Sequence, residues 1–200
     1  MEYLNKFASD SVIKIRQEVD NLGWNVNIKK INHPQKSTSA WLYYNCQEFK
    51  SGIKKAIIYL PDENLFDIKD RQEVMNAKYG HELCHILIDE ELQVCYINIK
   101  IDNNDSDFLK EICHIIESIL TDKKVYNLLS QYKVDTSNDL FLKYDALKKT
   151  INNIPPNRQF NLYNDLIGLL TITVQYIVIK EEWKTKIKNK LIITSLEEEY

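Results

Sequence analysis

The sequence predicts an α+β protein: an N-terminal helix, a short three-stranded antiparallel sheet, two further helices, and an all-helical C-terminal extension. Three observations carry that reading. Apolar residues recur at helical spacing in segments 1–22, 69–89 and 108–130. Three β-rich segments, 24–31, 40–46 and 53–60, lie between the first two of these and are separated by turn residues. Only four glycines and four prolines interrupt 200 residues, which favours regular elements over long loops.

The first helix is expected to carry the apolar residues Leu4, Phe7, Val12, Ile15 and Val19 and to stop at Gly23. His33-Pro34 divides the first two strands and Ser51-Gly52 divides the second from the third. Pro61-Asp62-Glu63-Asn64 ends the sheet, and a helix follows over 69–89. Residues 93–101 read as a short strand or an extended connector, and 102–107 as a polar cap before the helix at 108–130. Beyond it come a helix at 139–152, a break at Pro155-Pro156, and a long helical segment over 158–190. Residues 1–130 are expected to form the main domain and 131–200 the helical extension.

Charged residues make up 28% of the chain, hydrophobic ones 44%, and the net charge is -3, so nothing directs the protein to nucleic acid. Segment 1–22 is amphipathic and charged throughout, unlike an export signal. The most apolar stretch, 166–179, holds Thr171, Thr173 and Gln175 and is shorter than the roughly 18–20 residues a membrane span needs. The expectation is a cytoplasmic protein with no membrane partner. Cys46, Cys84, Cys95 and Cys113 form no paired motif and are expected as reduced thiols.

The most informative residues are His81-Glu82-Leu83-Cys84-His85, an HExxH string on the predicted helix. At ~100° per residue the two imidazoles stand about 40° apart on one face, a spacing one zinc ion can bridge. Glu82 then stands near the metal without ligating it, as a base able to take a proton from water and return it to a leaving amine. Tyr79, Leu83, Ile86 and Leu87 form the opposite face, suited to packing on the sheet. A zinc site of this kind needs a third protein ligand and an open fourth position. The helix at 108–130 has an apolar face of Phe108, Leu109, Ile112, Ile115, Ile116, Ile119 and Leu120, and a polar face holding His114, Glu117, Ser118 and Thr121. Glu117 is the favoured third ligand, with His114 as the alternative ligand or as a neighbour of the metal shell. Three of the four histidines thus fall within one constellation. Asp122 reads as an acid on the helix surface that could also brace a ligand histidine through its second ring nitrogen. Cys84 and Cys113 read as small buried hydrophobes, or else as ligands of a closed Cys/His zinc site.

At these residues the chain resembles the HExxH zinc metallopeptidases of the zincin class, and in element order the gluzincin branch with its small intracellular ImmA/IrrE-type domains. The resemblance covers about residues 1–130 and rests on His81-Glu82-Leu83-Cys84-His85 plus Glu117. It departs from the metzincins, with Ile88 where they need Gly and Glu91 where they need a third His. It also lacks the gluzincin Asn-Glu pair, since Ile116 precedes Glu117. The resemblance implies a zincin-like fold and hydrolysis of peptide bonds in a peptide or protein substrate. Zinc would sit on His81, His85 and Glu117, with Glu82 as catalytic base. Tyr43, Tyr44, Tyr79 and His114 are the candidate donors to the oxyanion. An extended substrate would pair along the strand Lys55-Ala56-Ile57-Ile58-Tyr59, taken as a sheet edge. The competing expectation is a regulatory or binding protein that keeps this scaffold and uses its C-terminal helices, where Leu166, Leu169, Leu170, Thr173 and Ile177 fall at helical spacing, to engage a partner.

Overall fold

The computed structural model describes residues 8–31, 38–92, 121–152, 172–173 and 176–187. The architecture is α+β with a small three-stranded sheet. The chain divides into two compact units, Met1–Asn98 with Lys124–Asp139 and Ile99–Lys123 with Leu140–Tyr200. The divisions at 123/124 and 139/140 each fall inside a helix.

In the first unit α1 spans Asp10–Asn21 and buries Val12, Ile15 and Val19. Its start is capped by Ser9, whose side chain accepts from the Val12 N–H, while the Ser9 N–H donates to Asn76 at 2.7 Å. Its end is the predicted stop. Gly23 takes φ +85°, its N–H donates to Asp20 O, and the Trp24 N–H reaches back to Val19 O. That is a Schellman closure, and the left-handed φ is what requires glycine there.

Strands β1 (Asn25–Lys30), β2 (Trp41–Tyr44) and β3 (Lys55–Leu60) form the sheet in the order β1-β3-β2. β2 runs antiparallel to β3, but β1 pairs with β3 in parallel, Val26 facing Ala56 and Ile28 facing Ile58. The sheet is therefore mixed, where the sequence reading expected it antiparallel. Alternation of side chains decides which face is buried, not which strand lies alongside. Here β3 inserts between β1 and β2, so the two consecutive strands never pair. The same order places Lys55–Tyr59 in the middle of the sheet, bonded on both sides. It is not the edge on which an extended substrate was expected to pair; β1 and β2 are the edges among the described residues.

Between β2 and β3 the chain makes a one-turn helix, α2 (Cys46–Lys50), which the sequence reading passed over. Asn45 caps it by accepting the N–H groups of Gln47 and Glu48. The signal was present: Asn at the cap with Glu three residues later.

Helix α3 (Arg71–Leu92) crosses the inner face of the sheet and packs against α1. It is not an amphipathic surface helix, since its middle is buried on nearly every side, from Val74 through Asp89. Residues 121–131 form α4, whose Val125 and Leu129 enter the same core as Val12, Ile58 and Leu83. Gly80 marks the tightest approach. A Cβ there would meet Leu129 Cδ2 at 3.0 Å and Val12 Cγ2 at 3.1 Å, so three helices close on one small residue.

Helix α5 spans Ser137–Asn152, and its part in the second unit, from Leu140 on, supplies Leu147 and Ile151 to a separate small core with Ile179 and Ile187. Trp183 stacks on Tyr144 with centroids 5.0 Å apart. The long helix expected over 158–190 is broken among the described residues: Ile179 bends, Lys180 leaves the helix, and residues 181–187 start a new one. Lys180 O accepts the N–H groups of Trp183 and Lys184, and Glu181-Glu182 occupy the new first turn, where negative charge favours a helix start. No helix among the described residues is long and apolar enough to cross a membrane.

Candidate metal centre

His81 and His85 are one turn apart on α3, and the core around Gly80 and Leu83 fixes the helix that presents them. Their rings lie 4.8 Å apart at 71°, and the two Nε2 atoms approach to 3.1 Å. Both residues are buried, 9% and 8% exposed, so they do not sit on a solvated face. Two imidazole lone pairs at this distance repel unless a proton or a cation lies between them. On a tetrahedral zinc with ~2.0–2.1 Å bonds two nitrogens stand roughly 3.3 Å apart, close to the separation seen.

A third ligand atom joins them. A carboxylate oxygen of Asp122 and the two ring nitrogens all lie within 4.8 Å of one another. Asp122 is 5% exposed, which corrects its reading as a surface acid. Its place follows from α4. Tyr126, one turn further along, packs its ring on His81 with centroids 5.3 Å apart, and Asp122 shares that face of the helix. Lys143 Nζ stands 3.5 Å from the Asp122 carboxylate. A buried His-His-Asp group of this kind can hold a metal ion, and two nitrogens with one oxygen suit zinc as well as other first-row divalent ions.

Glu82 is buried beside the two histidines in sequence. One turn beyond His85, Asp89 is buried and accepts the Tyr44 hydroxyl at 3.0 Å. Burial raises its carboxyl to about 6, against the opposing pull of the Tyr44 hydrogen bond and the nearby His85. Asp89 went unread in the sequence, although His81, His85 and Asp89 repeat at the four-residue spacing of one helix face.

Glu117 and His114, the expected third ligand and its alternative, lie outside the described residues. Of the expected oxyanion donors, Tyr44 is engaged by Asp89, and Tyr79 accepts from Arg16 Nη1 at 3.1 Å. Tyr43 is exposed on β2. Cys84 points into the hydrophobic core, fully buried, and burial pushes its thiol up to about 12. That environment opposes the thiolate a zinc ligand requires. Cys95 and Cys113 lie outside the described residues.

The chain matches no family model, no curated protein and no solved structure.

Proposed function

We propose that the protein is a metal-dependent hydrolase, and that it is a zinc metallopeptidase acting on a peptide or protein substrate. The observation that carries this is the convergence of His81 Nε2 and His85 Nε2 at 3.1 Å, with an Asp122 oxygen within 4.8 Å of the ring nitrogens and a glutamate next to the first histidine. In this reading His81, His85 and Asp122 hold the ion. Asp122 joins the candidates for the third ligand, while Glu117 and His114 lie outside the described residues.

The ion, when bound, supplies acidification of a water and polarisation of a carbonyl. The remaining work falls to Glu82. Its carboxylate accepts a proton from water as the water oxygen adds to the amide carbon. The same carboxyl then returns that proton to the amine nitrogen as the C–N bond breaks. The buried setting of Glu82 keeps bulk water from competing for that proton.

The test separates metal binding from catalysis. Elemental analysis of the untagged chain is expected to find close to one zinc, falling to near none in His85→Ala. Glu82→Gln is expected to keep the metal while peptide hydrolysis drops by about 10²–10⁴. A protein that binds zinc but whose Glu82→Gln variant behaves like the parent in every assay is a regulatory scaffold and not a peptidase.

A further inference from the structure

Lys78, Asp139 and Tyr126 form a half-buried polar chain that ends on a metal-ligand candidate. The Lys78 ammonium donates to Asp139 Oδ1 at 2.8 Å, and the Tyr126 hydroxyl donates to Asp139 Oδ2 at 2.6 Å. The Tyr126 ring then lies edge-on to the His81 ring at 62°. Asp139 is itself buried, and it uses one oxygen for each partner. Its own position is held by the residue before it. The Asn138 N–H donates to Glu73 Oε1 at 2.9 Å and its side-chain amide to Glu73 Oε2 at 2.6 Å. The start of α5 is thereby fastened to the first half of α3, the helix that also presents His81.

We infer that Tyr126 and Asp139 are positioning residues that hold the His81 imidazole at the angle required to aim Nε2 at the ion. This inference rests on the metal reading above and extends it to residues that ligate nothing. The physical reason is the softness of the imidazole torsion. Rotation about χ2 of a histidine is broad and nearly two-fold, so its ring direction is set by what it touches. A phenol ring fixed only by packing can tilt. A phenol whose hydroxyl is bound to a buried, salt-bridged carboxylate cannot do so without leaving that carboxylate half satisfied. The cost of tilting Tyr126 is passed on to His81. Groups that orient a ligand from outside the ligand set typically change metal affinity by about 10–100-fold.

The experiment is cobalt titration of the full chain, read by visible absorption, on the parent and on Tyr126→Leu, Tyr126→Phe and Asp139→Asn. Melting of the metal-free proteins is recorded in parallel. Tyr126→Leu, which removes both ring and hydroxyl, is expected to weaken Co²⁺ binding by about 10–100-fold and to alter its absorption bands. Tyr126→Phe keeps the ring and is expected to recover part of that loss. Asp139→Asn, nearly isosteric, is expected to fall between them, and it carries the test if Tyr126→Leu does not fold. Folded variants with the parent's affinity and spectrum overturn the inference and leave the network a purely structural one. A parent chain that takes up no cobalt overturns the metal reading itself and this inference with it.

Discussion

His81 and His85 are legible in the sequence because their relationship is local: a four-residue spacing on a helix brings two side chains together whatever the rest of the chain does. Asp122 is not legible in that way, because what makes it a ligand candidate is the approach of α4 to α3. Read alone it is an acid on a helix, and the surface is the ordinary place for one. In the structure it is buried beside two histidines from another helix, distant in the chain. Cys84 shows the converse. It sits inside the motif and invites a reading as ligand or nucleophile, yet its environment is apolar core. Peptide mapping after brief alkylation of the native protein is expected to find Cys46, which is half-buried, modified and Cys84 unmodified until denaturant is added. Rapid native alkylation of Cys84 would contradict its placement.

At the scale of elements, α1 was readable with its stop, because caps and periodicity are written within a turn or two of the boundary; α3 was readable as a helix, but it runs to Leu92, past the expected end at 89. The sheet was readable as three strands but not as a topology. Nothing in the period-2 pattern of Ala56, Ile58 and Leu60 records that one neighbour runs parallel and the other antiparallel. Gly80 belongs to this scale, since its meaning is the distance between helices. Gly80→Val places branched carbon where Leu129 and Val12 already stand at 3.0 and 3.1 Å. Overpacking of that kind costs about 1–3 kcal/mol, partly offset by the better helix propensity of valine over glycine. Because α4 also carries Asp122 and Tyr126, the variant is expected to melt lower and to bind zinc more weakly than the parent. A variant with unchanged melting temperature and zinc affinity would show that the helices do not close on this residue.

At the scale of the whole molecule, the first unit is built around β3, which is hydrogen-bonded on both sides and backed by α3. Hydrogen–deuterium exchange read by mass spectrometry is expected to leave the amides of Lys55–Leu60 among the slowest of the unit. Those of β1 and β2, each paired along one side among the described residues, should exchange earlier. Equal rates in all three strands would contradict the central place of β3. The second unit has its own small core, centred on Leu147 and Ile187. Its Trp183 could be found only by folding, because an isolated tryptophan among lysines and glutamates carries no local sign of the Tyr144 ring it stacks on.

By itself the sequence determined the mixed helix and strand content, the stop at Gly23, and the two imidazoles with a glutamate between them. Each is a property of residues within a few positions of one another, where backbone geometry alone dictates proximity. Only the tertiary structure decided that β3 is central, that the HExxH helix is buried on nearly every side, and that Asp122 and Tyr126 stand against the histidines. Those facts depend on which surfaces exclude water together, and burial is a property of the assembled core that no short stretch of chain records.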